Sequence, residues 1–419
     1  MVLHRTPRIV VVGGGFGGLE AAFRLSQRLG NRAEIEVISE DDSFVFRPNA
    51  IYVPFGLDPE RLRTPVAEPL RSRGIYFIQG RVDDIDPHRR TVRVDRRIIG
   101  WDYLIIATGA AGRPAEVDGL GDHANLVGSS DAMVTLRHRF DQLLETARLG
   151  RRCRVTFLLP PAVGWPVPLY EIAFMLDTWL TRHGARDAIE MFFLTHESSY
   201  AASFGSRLGE FIETEFERRG IHGRRGYRVD RVGPQRVIAG DGDAVPFDLL
   251  ISMAPQVAAA RFPALPSDAR GFITTDLATR NVVGHPNVYA IGDAADFPLK
   301  QAHLAATQAG VAADQIAASI LLEPTRETFE PVGMVVLEQL DRGTFVQAPL
   351  RATTRPGEIE VAEDDTAYRV GSSPLWRAGK VMMGGYMPWR FRRGVPARTG
   401  VPWRGLEVGL EAMARTLAR

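Results

Sequence analysis

A glycine-rich turn near the amino terminus has the residue types and the spacing that bind a nucleotide phosphate. In "RIVVVGGGFGGLEAAF", Gly13, Gly15 and Gly18 give G-x-G-x-x-G directly after the unbroken apolar run of residues 9–12. The first glycine permits the turn, the second lets a pyrophosphate approach the backbone, and the third lets helix and strand pack closely. The N–H groups at the start of the following helix then meet the phosphate.

An acidic residue follows at the distance that such a site requires. The predicted strand "EIEVISE" ends at Glu40, 22 residues after Gly18, where its carboxylate accepts hydrogen bonds from an adenosine ribose. Phe16 and Gly17 complete the predicted phosphate loop. A lone G-x-G-x-x-G is a weak signal. Bracketed by a strand, a helix and an acidic strand end, it favours dinucleotide binding over a glycine turn kept only for packing.

Two later stretches indicate which dinucleotide binds. "WDYLIIATGAAGRP" is an apolar strand that leads into Thr108 and Gly109, and "NVYAIGDAADFP" leads into Gly292 and Asp293. Both resemble the later signatures of flavoproteins with two dinucleotide-binding domains. The resemblance implies FAD, with Asp293 on the ribityl chain and the next helix aimed at the flavin. Val82 is assigned to the same FAD site.

Composition excludes several classes of protein. The chain has 419 residues, of which 45% are hydrophobic, and its 51 basic and 50 acidic residues indicate no nucleic-acid partner. The single cysteine, Cys153, excludes an internal disulfide, and we predict no metal site. The chain enters a strand almost at once, and no apolar run approaches a membrane span, so we expect a cytoplasmic protein.

Three further stretches are similar to the sulfide:quinone oxidoreductases and their neighbours, the type II NADH dehydrogenases and flavocytochrome c sulfide dehydrogenases. They are "FVFRPNAIYVPFG", "PLYEIAFMLDTWLTRHG" and "GDAADFPLKQAHLAATQAGVAADQIAASI", and the resemblance covers about residues 7–320. It implies an α/β fold of two Rossmann-like dinucleotide-binding domains and a C-terminal α+β module. We expect a split FAD domain (1–118 and 272–325), an inserted degenerate second domain (119–271) and the C-terminal module (326–419).

The second nucleotide loop departs from what NAD(P)H binding requires. "RRCRVTFLLP", "PLYEIAFMLDTWLTRHGA" and "AIEMFFLTHES" predict a strand, a helix and a strand. The loop between the first two is "LLPPAVGWPVPLYE", whose four prolines have no N–H to offer a phosphate. Trp165 stands within it. Glu197, at the next strand end, remains a candidate ribose contact without a phosphate cradle.

The resemblance also makes the missing cysteine pair of this sequence informative. Sulfide:quinone oxidoreductases carry a cysteine six residues before the helix glutamate, which here is Glu171, and pair it with a C-terminal cysteine. Trp165 occupies the first position, and the C-terminal part contains no cysteine. Cys153 lies at the head of a strand, outside the matching position. Sulfide oxidation through a cysteine pair is therefore not expected of this chain.

The family pattern implies roles for residues around the flavin. Glu171, at the helix start, is a candidate proton carrier, or a structural cap. Lys300, one of only two lysines, is expected near the flavin N1 and C2 carbonyl, where a cation stabilises the anionic reduced flavin. His303 is either a proton relay or a core residue, and Trp165 either closes one flavin face or packs in the core. Arg47, Pro48 and Gln301 are assigned as cofactor contacts.

The C-terminal part predicts short strands followed by an amphipathic helix. Residues 376–419 hold nine arginines or lysines against two glutamates, and Leu406, Leu410, Met413 and Leu417 form one apolar stripe. In relatives this region is the membrane foot and quinone entrance. The stripe therefore predicts contact with the inner face of the cell membrane; the alternatives are packing on the chain's own core and a homodimer.

Together these features predict an enzyme with non-covalent FAD that passes electrons to a quinone or another small acceptor from an unnamed donor. The family's flavin-linking cysteine has no obvious counterpart in this sequence, and we therefore predict that FAD binds non-covalently. One alternative is an NAD(P)H-dependent flavoprotein reductase with an atypical cofactor pocket. The other is a flavin-binding electron-relay or assembly subunit of a complex.

Overall fold

The computed structural model describes residues 5–353 and 358–418. Within these ranges the helices are α1 (Phe16–Leu29), α2 (Ala67–Arg71), α3 (Leu120–His123), α4 (Ser130–Arg148), α5 (Val167–Arg182), α6 (Ser206–Arg219), α7 (Ala302–Leu321), α8 (Pro374–Arg392) and α9 (Gly400–Leu417).

The strands fall into three groups along the chain. The first group is β1 (Arg8–Val12), β2 (Glu34–Ser39), β3 (Ser43–Val45), β4 (Arg63–Pro65), β5 (Tyr76–Gln79), β6 (Val82–Asp86), β7 (Thr91–Val94), β8 (Arg97–Gly100), β9 (Tyr103–Ile106) and β10 (Ala110–Gly112). The second group is β11 (Asn125–Leu126), β12 (Cys153–Leu159), β13 (Ile189–Thr195), β14 (Ile221–Arg224), β15 (Val229–Gly233), β16 (Arg236–Ala239), β17 (Ala244–Pro246), β18 (Leu249–Ser252) and β19 (Gln256–Ala258). The third group is β20 (Asn281–Val282), β21 (His285–Ala290), β22 (Val332–Glu338), β23 (Gly343–Ala352), β24 (Ile359–Val361) and β25 (Arg369–Ser373).

A six-stranded sheet in the order β20-β21-β9-β1-β2-β5 is built from both ends of the predicted FAD domain. Its central strand β1 pairs in parallel with β2 and β9, and residues 9–11 are fully buried. A strand in a sheet that is covered on both faces needs an unbroken apolar sequence, because the side chains on both faces are shielded from water. Helices α1 and α7 pack together on this sheet and so bring the glycine turn beside the start of α7.

A second sheet, ordered β11-β18-β12-β13-β14, is parallel throughout. The predicted strand, helix and strand are present as β12, α5 and β13. Helix α5 is buried along most of its length, and it ends before Gly184, whose φ of +66° suits the turn out of the helix. The first turn of α5 therefore lies at the carboxyl edge of this sheet, where ligands bind in open α/β sheets.

The C-terminal module combines antiparallel strands with the last two helices. Strand β23 pairs with β22, β24 and β25, which confirms the short strands expected there. Trp376 of α8 is fully buried and stacks on Phe345 at 4.2 Å between ring centroids. Leu410, Met413 and Leu417 of α9 pack against that pair. Most of the predicted apolar stripe is thus used on the chain's own core.

Hydrogen bonds fix this module to both sheets. The Ser206 N–H at the start of α6 donates to Glu363 Oε1 (2.7 Å), and the Ala397 N–H donates to Glu20 Oε2 in α1 (2.6 Å). The α/β fold with two Rossmann-like sheets and an α+β module is confirmed, while the boundaries at 118, 271 and 325 stay a prediction. No helix in the described ranges has the length and apolarity needed to cross a membrane.

Candidate active site

A cavity of about 1120 Å³ lies where the carboxyl ends of the first sheet meet α5 and the C-terminal helices. Every predicted site residue except Gly18 lines it: Gly13, Gly15, Phe16, Gly17, Glu40, Arg47, Pro48, Val82, Thr108, Gly109, Trp165, Glu171, Gly292, Asp293, Lys300, Gln301 and His303. The cavity continues from the glycine turn to α8 and α9. One continuous, partly open cavity thus connects the predicted nucleotide cradle with the predicted acceptor entrance.

The glycines of the first turn serve two different needs. A Cβ on Gly13, whose φ is +117°, would stand 2.3 Å from the Ala107 carbonyl oxygen, and a Cβ on Gly18 would stand 1.9 Å from the Gly13 carbonyl oxygen. Backbone atoms therefore leave no room for a side chain at Gly13 or Gly18. A Cβ on Gly15 would meet nothing within 4 Å. Gly15 therefore keeps open the space in front of the α1 N-terminus, as a bound pyrophosphate requires.

Two carboxylates stand where FAD needs acceptors. Asp293 forms no hydrogen bond with any described residue; burial raises the pKa of its carboxyl, against the opposing charges of Lys300 and Arg47. A half-buried carboxylate without a donor among the described residues can accept from a ligand, and the ribityl hydroxyls of FAD would fit there. Glu40 is 66% exposed, with Arg81 3.8 Å away, and is free to accept from a ribose. These residues fit FAD.

Lys300 is buried between the two sheets. Its ammonium donates to the Ala295 carbonyl oxygen, and Nζ lies 3.6 Å from the ring centroid of Phe272. Burial lowers the pKa of Lys300 to about 8, while Asp293 and Asp296 act in the opposite direction. Lys300 is not a surface charge, because the residue is only 6% exposed.

The proline loop docks against the Lys300 segment. The Lys300 N–H donates to the Gly164 carbonyl oxygen (2.9 Å), and the Gly164 N–H donates to Gln256 Oε1 (2.8 Å). A Cβ on Gly164 would stand 2.5 Å from Lys300 Cγ, so only glycine permits this approach. The loop carries Trp165 to the cavity wall, where its ring also packs on Phe204 at 5.7 Å. Trp165 thus packs in the core and also lines the cavity, while its role at a flavin face stays a prediction.

Glu197 is occupied within the protein. Its carboxylate accepts from the Tyr170 hydroxyl (2.5 Å), the Thr195 hydroxyl (3.0 Å) and the Ala202 N–H (3.1 Å), and the residue is 8% exposed. A ribose would have to displace these three donors. The position that would hold a second dinucleotide ribose is therefore used to fix the loop after β13.

Glu171 forms a buried ion pair with Lys380 across the cavity. Lys380 Nζ donates to Glu171 Oε1 and to the Val336 carbonyl oxygen, and the Glu338 N–H donates to the same Glu171 oxygen (2.9 Å). Burial raises the pKa of Glu171, and the Lys380 cation opposes that rise. Glu338 lies next to this pair and is held by Arg377 (3.0 Å). Helices α5 and α8 and strand β22 thus bring two carboxylates and two cations together.

Sequence reasoning missed Lys380 and Arg398 as residues of this cavity. A signal existed for Lys380, because the chain has only two lysines, and both line the cavity. No local pattern marks Arg398, which reaches the cavity from the segment between α8 and α9. It stands near His303, where burial, aided by the Arg398 charge, lowers the pKa to about 3. His303 is therefore neutral at physiological pH.

The fold and the cavity define a flavoprotein oxidoreductase. The family model described as pyridine nucleotide-disulphide oxidoreductase matches residues 7–149 and 179–309, and the chain belongs to this family. Its members and the relatives below are flavoproteins for which FAD is typical, and this protein is an FAD-dependent oxidoreductase. The match is interrupted over residues 150–178, the segment that contains the proline loop.

Among known proteins, the chain is similar to the sulfide-quinone reductase of Aquifex aeolicus, with 28% identity over 69% of each chain. It is also similar to the mitochondrial external alternative NAD(P)H-ubiquinone oxidoreductase B1 of Solanum tuberosum, with 23% identity over 69% of this chain and 55% of that one. The fold matches the solved structure of the Aquifex aeolicus sulfide:quinone oxidoreductase with a TM-score of 0.83, at 21% identity over 97% and 96% of the two chains. The resemblance to that family is confirmed.

Alanine variants of Gly15 and Gly18 distinguish a glycine that leaves room for the cofactor from a glycine that the packing of the chain itself requires. Gly15→Ala leaves the thermal midpoint of the flavin-free protein unchanged but weakens FAD binding at least tenfold, because the new methyl group occupies the pyrophosphate space. Gly18→Ala lowers the stability of the flavin-free protein by about 2 kcal/mol or more, because its Cβ meets backbone. Thermal unfolding and FAD titration of both variants measure this. Equal loss of stability in both would contradict the assignment.

Proposed function

We propose that this protein binds FAD non-covalently and reduces a quinone or a similar small acceptor, using a donor other than NAD(P)H or sulfide. The observation that carries the proposal is the continuous cavity, which joins the glycine cradle to Glu171 and Lys380 at the C-terminal helices. Bound flavin would supply two-electron transfer between donor and acceptor. The chain's own residues position the two reactants, exclude water and move protons.

Lys300 contributes a buried positive charge beside the flavin site. Its pKa of about 8 keeps most of the side chain protonated at neutral pH. A cation in a buried site stabilises negative charge more strongly than it would in water. We assign Lys300 to stabilisation of the reduced cofactor, held in place by Ala295 and Phe272.

Glu171 is the proposed proton carrier for the acceptor. A carboxylate that lines the cavity and is paired with Lys380 has a pKa governed by two opposed effects, burial and the ammonium charge. Because the two effects oppose each other, we expect the carboxyl group of Glu171 both to take up and to release a proton. The structural-cap alternative for Glu171 has no support in its contacts, since its carboxylate faces Lys380 and Glu338.

Three features argue against the two donors that relatives use. The proline loop offers no N–H groups from its prolines, Glu197 is fully engaged, and the sequence has one cysteine. Trp165 lines the cavity next to the loop residue that contacts Lys300. We place the donor on this side of the flavin, against Trp165.

Membrane contact is proposed for α8. Its outward side exposes Leu375, Val381, Met382 and Trp389, with exposed fractions between 38% and 56%, and the Arg393 guanidinium lies 4.3 Å from the Trp389 ring centroid. Apolar and aromatic side chains next to arginines suit an anionic lipid surface. This supports peripheral binding to the inner face of the cell membrane; a homodimer through the same side is the competing use.

Anaerobic mixing of the FAD-loaded protein with single donors tests the function. We expect NADH, NADPH and sulfide to leave the flavin absorbance unchanged, and a reduced quinone to bleach it by the reverse of the proposed reaction. Rapid bleaching by NADH or NADPH would instead establish the nucleotide-dependent reductase. If no small reductant, quinol included, bleaches the flavin, the electron-relay or assembly subunit is the correct alternative.

Variants of Lys380 test the proton carrier through its pH dependence. Lys380→Met removes the charge that opposes burial, so the pKa of Glu171 rises and the pH midpoint of quinol-driven flavin reduction moves upward. Lys380→Arg keeps the charge and leaves the midpoint near that of the native protein. Glu171→Gln lowers the rate roughly a hundredfold or more and removes this titration. Identical pH profiles in all four proteins would rule out Glu171.

Membrane binding is tested by flotation with vesicles that contain anionic phospholipid. Met382→Glu is expected to weaken binding roughly tenfold, because one buried apolar side chain contributes about 1.5 kcal/mol or more. Ile98→Glu is the matched control, since Ile98 is 74% exposed on β8, far from α8 in the fold. Unchanged flotation of Met382→Glu, with a monomer–dimer shift by sedimentation, would assign the surface to a homodimer.

A further inference from the structure

Arg398 is a largely buried cation in the wall of the cavity, and it lacks a carboxylate partner. Its Nη1 donates to the Thr307 hydroxyl, and its Nε has no hydrogen-bond partner among the described residues. No carboxylate oxygen of a described residue lies within 4.0 Å of its guanidinium. The side chain lines the same cavity as the flavin site but on the side of α7 and α9.

A buried charge without a partner is energetically costly, and proteins pair such charges or bind a counter-ion. Burial lowers the pKa of Arg398; the charge of Glu20 opposes this shift, and the neighbouring charge of Arg24 adds to it. A guanidinium nevertheless keeps its proton at any physiological pH. An anion that binds in the cavity beside Arg398 would therefore lower the free energy of the protein.

The surroundings of Arg398 favour a flat ligand with an oxyanion. The centroid of the Trp403 ring lies 5.3 Å from the guanidinium carbon and provides an aromatic surface beside the charge. His303 lines the cavity with a neutral ring that is hydrogen-bonded to no described side chain, so one nitrogen donates and the other accepts. Met383 and Met387 of α8 supply the apolar wall of this part of the cavity.

Three carboxylates, Glu20, Glu407 and Glu327, act on Arg398 through their charge, and none of them forms an ion pair with its guanidinium. Glu20 accepts from the Arg24 side chain and from the backbone N–H groups of Ala397 and Arg398, which use its oxygens. Glu407 acts on Arg398 only through its charge at longer range and lies on the exposed side of α9. Glu407 therefore weakens anion binding without occupying the site.

We infer that Arg398, with His303 and Trp403, forms an oxyanion-binding subsite of the cavity. The inference rests on the proposed function, because the cavity is its acceptor site. Two ligands carry the required chemistry: the pyrophosphate of the flavin cofactor, and an acceptor ring that bears an acidic substituent. The position of Arg398 between α7 and α9, beyond the start of α7, favours the acceptor.

The test measures equilibrium binding, without turnover, to the FAD-loaded protein. The probes are 1,4-naphthoquinone-2-sulfonate and neutral 1,4-naphthoquinone, followed by calorimetry. We expect the sulfonate to bind more tightly than the neutral ring and this preference to fall roughly tenfold to a hundredfold in Arg398→Met. Arg415→Met is the matched control, because Arg415 lines the same cavity from an exposed position, and it should leave the preference unchanged.

A second pair of variants distinguishes a loss of binding from a loss of folding. Arg398→Lys keeps the charge but not the fork, and it should retain part of the preference for the sulfonate. Glu407→Gln removes a repelling charge and should tighten sulfonate binding several-fold. FAD affinity, measured by titration of flavin-free protein, identifies the source of the oxyanion: a tenfold loss in Arg398→Met with no sulfonate preference assigns the site to the cofactor pyrophosphate.

The inference is overturned if Arg398→Met changes neither FAD affinity nor sulfonate preference while its thermal midpoint stays native. Equal responses of Arg398→Met and Arg415→Met would overturn it as well, since general cavity charge would then explain both. Failure of quinol to bleach the flavin contradicts the proposed function but leaves these binding constants unaffected. The two proposals are therefore separately testable.

Discussion

The buried ion pair between Glu171 and Lys380 joins parts of the chain that no local structure would bring together. Neither charge is tolerable alone in this position, because an unpaired buried ion costs several kcal/mol. Helix α5 of the second sheet and helix α8 of the C-terminal module are therefore held in one relative placement. That placement brings both charges into the wall of the cavity that also contains the glycine turn.

The distribution of cations follows from the same constraint. The chain uses arginine almost everywhere and lysine at only two positions, 300 and 380, and both lysines line the cavity. An arginine stays protonated at any physiological pH, whereas a buried lysine titrates in an accessible range. Under the proposed function, Lys300 is the cation beside the reduced cofactor and Lys380 is the partner of the proton carrier Glu171. Arginine is retained at Arg398, where a permanent charge suits the recognition of an anion.

Local sequence patterns predicted the first sheet, the glycine turn and the cofactor residues, because each of these depends on neighbours close in the chain. The G-x-G-x-x-G spacing, the acid at Glu40 and the Asp293 motif all follow strands whose burial is visible as unbroken apolar runs. The partners of Glu171 and Lys300 were not predictable in this way. Lys380 is 209 residues from Glu171, and Phe272 reaches Lys300 through a loop with no motif of its own.

The C-terminal stripe shows why an amphipathic pattern alone does not name its partner. Periodicity established that one side of α9 is apolar, but not what covers it. In the structure Trp376 and Phe345 cover much of that side, while both helices also expose apolar residues: Leu375, Val381 and Met382 in α8, and Val401 and Val408 in α9.

The proline loop gains a positive role from the structure. Glycine at 164 is required for contact with Lys300, and prolines 160, 161, 166 and 168 restrict the loop on either side of that contact. A phosphate-binding loop must leave its N–H groups free, whereas this loop donates from Gly164 to Gln256. Glu197 is likewise committed to Tyr170 and Ala202. A nucleotide phosphate bound by this loop would therefore have to break the contacts that position Lys300 and Trp165, so the loop and the second sheet support the wall of the cavity.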